Sequence, residues 1–150
     1  MKLFWREMWW KRRKIALSRE EAFVAVMLTA VTNECRKTSP HRDRDEITVA
    51  VRKLPLFAGL SESQFVSKLN RVESMLEYHG GQSVFKRSIE VLPVGLRQSA
   101  FVLLLQIALA VQEQEDKDRR RWIKEMQDKL DVDKQLAAEL TDVLVAAQGR

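Results

Sequence analysis

Residues 18–31 read SREEAFVAVMLTAV. Ser18 and Glu21 stand three apart in the form of a capping box, which marks a helix start. From Ala22 to Val31 the chain offers a single hydroxyl, Thr29, and no charge. A helix that is apolar on every side has no face to give to water, so it belongs in the middle of a bundle. A second run of the same kind, LRQSAFVLLLQIALAV (96–111), comes in the second half of the chain. Its apolar part is shorter than the roughly 20 residues of a membrane span and contains Gln106, so it too reads as a buried helix.

Helical punctuation continues between and after these runs. Ser39-Pro40 suits an N-cap and first helical residue, and Ile47, Ala50, Val51 and Leu54 then mark an inner face that stops before Pro55. Ser61 and Gln64 form a second capping box, with Leu60 and Phe65 placed as a hydrophobic staple. Phe65, Leu69, Val72 and Leu76 continue that helix to Gly80-Gly81. A short fourth helix carries Val84, Phe85, Ile89 and Leu92 and closes at Pro93 and Gly95; Leu96–Gln112 is the fifth. Trp122, Ile123, Met126 and Leu130 stripe a sixth. Asp133 caps a seventh bearing Leu136, Leu140, Val143 and Leu144. Five glycines and three prolines in 150 residues, without sustained apolar alternation, agree with an all-helical chain. The expected fold is all-α: a compact bundle of about seven helices in pseudo-two-fold halves, preceded by an N-terminal arm.

That arm opens MKLFWREMWWKRRK. Six basic residues against Glu7 give it a net +5, the formal charge of the whole chain, so the remainder sums to zero. A nucleic-acid-binding domain spreads basic residues over a face of the fold, and no such partner is expected here. At 100° per residue Phe4, Trp5, Met8 and Trp9 share one arc with Arg12 at its end, while Leu3 and Trp10 fall off it. Indole rings suit a membrane interface, and lysine and arginine stems let their heads reach phosphates. Peripheral attachment to an anionic membrane surface, through Phe4, Trp5, Met8, Trp9 and Trp10 with Arg12, Arg13 and Lys14, is the leading reading. Docking onto a membrane-associated protein complex also fits, as does folding back on the bundle. The arm spans residues 1–16 and the helical domain 17–150. Its charges follow the tryptophans and the chain turns polar at Ser18, so the opening is not read as an export signal.

Chemistry is sparse. The single cysteine, Cys35, excludes an internal disulfide and favours a reducing compartment. Cys35, His41 and His79 follow no nucleophile–base signature, and His79-Gly80-Gly81 reads as a helix end because the Walker lysine is missing. In KDRRRWIKEM (117–126), Trp122 is expected to pack inward from a charged face. No catalytic residue, cofactor or small-molecule substrate is expected.

The runs LSREEAFVAVMLTAV, LPLFAGLSESQF and LRQSAFVLLLQIALAVQEQE resemble the tellurite-resistance TerB-like family, most closely its small stand-alone bacterial, particularly cyanobacterial, members. The resemblance covers roughly residues 17–147. It implies a seven-helix bundle with pseudo-two-fold halves and an association with stress-response or membrane-linked complexes. Family members typically place an Asp-Gly pair after each central helix, with an acid about two turns on, to hold a divalent cation. Here Glu34-Cys35 and Glu113-Gln114 replace those pairs, and His41-Arg42 and Arg119-Arg120 lie near the later acids. Guanidinium groups oppose a cation and suit pairing with Glu34 and Glu113. The metal site is therefore expected to be degenerate. The resulting reading is a cytoplasmic, peripherally membrane-associated, non-enzymatic adaptor or assembly factor; the alternative is a divalent-cation (calcium) sensor.

Overall fold

The computed structural model describes residues 15–34, 40–110 and 116–148, and within them all regular structure is helical. Seven α-helices follow in order: α1 (Arg19–Glu34), α2 (Pro40–Arg52), α3 (Glu62–His79), α4 (Gly81–Val91), α5 (Val94–Ala110), α6 (Asp116–Lys129) and α7 (Lys134–Gln148). A 3₁₀ turn, Pro55–Phe57, joins α2 to α3. None of these helices is long and apolar enough to cross a membrane.

The two apolar runs become the two hubs. α1 packs against α2, α3, α4 and α5, and α5 in turn carries α6 and α7. Every residue of α1 from Glu21 to Val31 is buried. The most extensive contact is between α1 and the short α4, whose Gly81, Val84 and Ser88 lie on one helical face. A Cβ on Gly81 would meet Thr29 Cγ2 of α1 at 3.5 Å. Val84 and Ser88 are fully buried, and the Ser88 hydroxyl is satisfied by the Val84 carbonyl at 2.7 Å. Small and polar-satisfied residues on that face let the two backbones approach closely.

The α2–α3 junction is more ordered than its sequence announces. Phe57 on the 3₁₀ turn inserts between Phe23 of α1 and Phe65 of α3, at 6.1 and 5.7 Å between ring centres, edge to face in both cases. Arg52 closes this corner from the solvent side. Its guanidinium lies 5.0 Å from the centre of the Phe65 ring and donates to the carbonyls of Phe57 (3.2 Å) and Leu60 (2.7 Å). The expected capping box at Ser61 and Gln64 forms in both directions.

Local boundaries follow the sequence with three differences. Gly80 alone breaks the chain between α3 and α4, at φ 86°, and Gly81 already begins α4. Pro93 starts a helix rather than only ending one: its carbonyl accepts from Leu96 and Arg97, so α5 begins at Val94. Val143, expected on the buried stripe of α7, is 65% exposed; the inward side is Ala137 with Leu136, Leu140 and Leu144. Three residues past Leu140 the helix has turned about 300°, roughly 60° short of a full turn, which leaves Val143 outside the strip that packs inward. Trp122 packs inward as expected.

α6 ends in a Schellman turn. Val132 donates to the Gln127 carbonyl and Asp131 to that of Asp128, with Asp131 at φ 53°. Glycine is the residue that holds this conformation without steric cost. Asp131→Gly is expected to raise stability by about 0.5–1 kcal/mol, because Asp131 is itself exposed, its pair with Arg97 is long at 3.4 Å, and Arg97 keeps its bond to the Leu130 carbonyl. Arg52→Ala is expected to lower stability by about 1–2 kcal/mol, through two lost carbonyl bonds and one ring contact. Urea titration of each full-length variant measures both effects.

Candidate functional site: the arm root and the Glu21 cleft

The point where the arm joins the bundle is built around the first turn of α1. The Ser18 hydroxyl accepts from the Glu21 amide at 3.2 Å, and Glu21 Oε1 accepts from the Ser18 amide at 2.9 Å. This is the capping box expected at the sequence level. It has a further consequence here: α1 buries its whole circumference, so a carboxylate in its first turn is buried as well, and the Glu21 side chain is only 3% exposed. A buried carboxylate requires a partner. Arg71 of α3 supplies it, donating from Nη1 to Oε1 at 2.7 Å and to Oε2 at 2.9 Å.

Burial by itself pushes the Glu21 carboxyl upward. The Ser18 amide, the Arg71 guanidinium and the Ser18 hydroxyl together outweigh it, and the net shift is below the ordinary 4.5. The carboxylate is held charged.

The same arginine fixes the backbone leading in from the arm. Arg71 Nη2 donates to the Ala16 carbonyl at 3.0 Å. Arg87 of α4 donates from Nε to the Ile15 carbonyl at 3.3 Å and pairs with Glu90 at 2.9 Å. Ile15 and Leu17 meanwhile rest against the core. Two guanidinium groups from two helices thus hold two successive carbonyls, and the arm has a fixed root on the α3–α4 side of the bundle.

Beside this root lies an open cleft of about 500 Å³. The floor is Glu21; the wall is Ser63, Gln64, Ser67, Lys68 and Arg71 of α3, with Leu60 at one end. Spacings of three and four along α3 bring these side chains onto one face. Lys68 donates to the Ser18 hydroxyl at 3.3 Å and makes no ion pair with a described carboxylate.

The residues singled out in the sequence are placed unevenly. Phe4, Trp5, Met8, Trp9, Trp10, Arg12, Arg13 and Lys14 lie outside the described residues, as do Cys35 and Glu113. Glu34 closes α1 and His41 and Arg42 lie in α2, but their side chains are also outside the description. The expected pairing of arginines with Glu34 and Glu113 falls there too. His79 ends α3, its ring 4.9 Å from that of Tyr78, edge to face. Among the described residues, no three metal-ligating side chains gather. Asp45, Glu46 and Asp118 are exposed on α2 and α6.

Arg71, Arg87 and Lys68 escaped the sequence reading. A signal for Arg71 exists in retrospect: a capping acid one residue before an all-apolar helix must be neutralised, and Arg71 borders the buried stripe at Val72.

Arg71→Ala is expected to destabilise the fold by about 2–3 kcal/mol, as it strands a buried charge; Glu21→Gln should cost less. Because the folded-state carboxyl titrates below its unfolded value, its stabilisation is present above about pH 4.5 and is lost as pH falls through the folded value. Urea midpoints from pH 7 to pH 3 should therefore fall more steeply for the native chain than for Glu21→Gln. Compared with protein-family models, with curated proteins and with solved structures, the chain matches none.

Proposed function

We propose that this chain is a non-enzymatic, TerB-like adaptor that attaches peripherally to an anionic membrane surface from the cytoplasmic side. The observation that carries the reading is the clamped root. Arg71 and Arg87 hold the carbonyls of Ala16 and Ile15, so a segment of net +5 leaves a fixed point on a remainder of net zero. Force or orientation acquired by the arm passes directly into α1, α3 and α4. An adaptor needs that coupling, whereas a solubilising tail does not.

The energetics suit reversible attachment. Each basic residue near an anionic leaflet contributes about 1 kcal/mol, and each aromatic side chain buried at the interface adds about 1.5–3 kcal/mol before ordering costs. Phe4, Trp5, Met8, Trp9 and Trp10 supply the apolar part, and Arg12, Arg13 and Lys14 the electrostatic part. The sum stays short of the commitment of a spanning helix. An all-helical bundle with two apolar hubs is in keeping with the TerB-like resemblance and with the role in assembly or stress response that it implies.

Full-length protein should co-sediment with phosphatidylglycerol-containing vesicles at low salt and release as salt rises. Replacing Trp5 and Trp9 with Ala should abolish binding while leaving the helical circular dichroism unchanged. Protein that ignores these vesicles, yet recovers a discrete membrane complex, would transfer the arm's role to a protein partner. Micromolar calcium binding by calorimetry, lost in Glu34→Gln or Glu113→Gln, would instead favour a cation sensor.

A further inference from the structure

We infer that the cleft beside the arm root is a phosphate-binding site, with Lys68, Ser67 and Ser63 as its donors. The charge balance sets the sign of the ligand. Glu21 and Arg71 neutralise each other through a bidentate pair, and among the described residues Glu21 is the only acid lining the cleft. The Lys68 ammonium is left as a surplus positive charge, bonded to one neutral hydroxyl and to no described carboxylate. A cleft of one net positive charge with hydroxyl donors on the same wall is complementary to an anion.

The kind of donor narrows the anion further. Planar carboxylates are best read by an arginine fork, and the only fork among the described lining residues, that of Arg71, is committed to Glu21 and to the Ala16 carbonyl. What remains is a point charge on a flexible stem and separate donors spaced along α3. The Ser67 hydroxyl makes no hydrogen bond to a described residue. Ser63 shares only the Ser61 hydroxyl, at 3.2 Å. The Gln64 amide oxygen is used by the Ser61 amide, which leaves its NH₂ as a donor. Separate donors spaced along one helix face can each meet a different oxygen of a tetrahedral group. Lysine is a regular phosphate ligand in that role.

Position suggests where the phosphate comes from. Lys68 reaches Ser18, three residues from the clamped Ile15, so the cleft opens beside the point from which the arm departs. An arm lying on an anionic bilayer brings lipid headgroups to this opening. The lipid source rests on the membrane reading above; the phosphate chemistry does not.

Amide chemical shifts of ¹⁵N-labelled full-length protein, titrated with inorganic phosphate and with glycerol 1-phosphate against chloride at equal ionic strength, test the site. Saturable shifts centred on Ser63, Ser67 and Lys68 are expected. Lys68→Ala should weaken them by about tenfold or more and Ser67→Ala by less, while Lys117→Ala on α6 leaves them unchanged. All three residues are at least partly exposed, so the fold should persist. Shifts that fail to saturate, or that survive unchanged in Lys68→Ala, overturn the site.

Vesicles of phosphatidylcholine with phosphatidic acid then separate the sources. Weaker binding by Lys68→Ala assigns a lipid phosphate, and equal binding alongside a saturable phosphate response assigns a soluble one. Arm-dependent vesicle binding with no phosphate response at Lys68 would leave the membrane reading standing and remove this one.

Discussion

Enclosing α1 is the constraint from which the rest of the molecule follows. A helix apolar around its full circumference loses free energy on every side left in water, at about 25 cal/mol for each Å² of apolar surface. No single neighbour can cover it. α2, α3, α4 and α5 surround it, and the small-residue face of α4 provides the closest approach. Chain connectivity then leaves α6 and α7 to cover the other side of α5, which repeats the problem of α1 in the second half.

Enclosure has a polar cost at the ends of the helix, and the response to that cost creates the candidate site. The first turn of α1 must cap its free amides, and the capping acid Glu21 goes into the interior with it. Arg71 is the compensation. A guanidinium has five donors and Glu21 engages one end of its fork, so the remainder reaches the Ala16 carbonyl and defines where the arm begins. Lys68 lies one turn away on the same face of α3 and is left without an anionic partner among the described residues. A requirement of folding thus places the clamped arm root and a cationic cleft side by side.

Much of the architecture is legible in the residues themselves. Both hubs, both capping boxes and the inward Trp122 can be read locally, because apolar periodicity and capping depend on neighbours within four positions. The features that escape are those set by distant segments. Phe57 forms a 3₁₀ turn because Phe23 and Phe65 flank it in space, and LPLFAGL alone carries no sign of this. Val143 matches an apolar stripe in sequence, yet α5 does not extend far enough around α7 to cover it. The candidate site divides the same way. The arm's charge and aromatic content are visible at once, whereas Arg71 meets Glu21 across fifty positions and Arg87 meets Ile15 across seventy-two.

The arrangement of α6 and α7 bears on how the molecule opens. Both take their principal packing from α5 and not from the α1 cluster, and the last turns of α7 show Val143, Val145 and their neighbours to solvent. Parting the pair from α5 would expose one buried stripe, Trp122, Met126, Leu130, Val132 and Ala137. A pair of helices held mainly by one neighbour can part from it without uncovering α1, which four helices enclose. Such a division would let the C-terminal helices shift while the backbone clamped by Arg71 and Arg87 keeps its place.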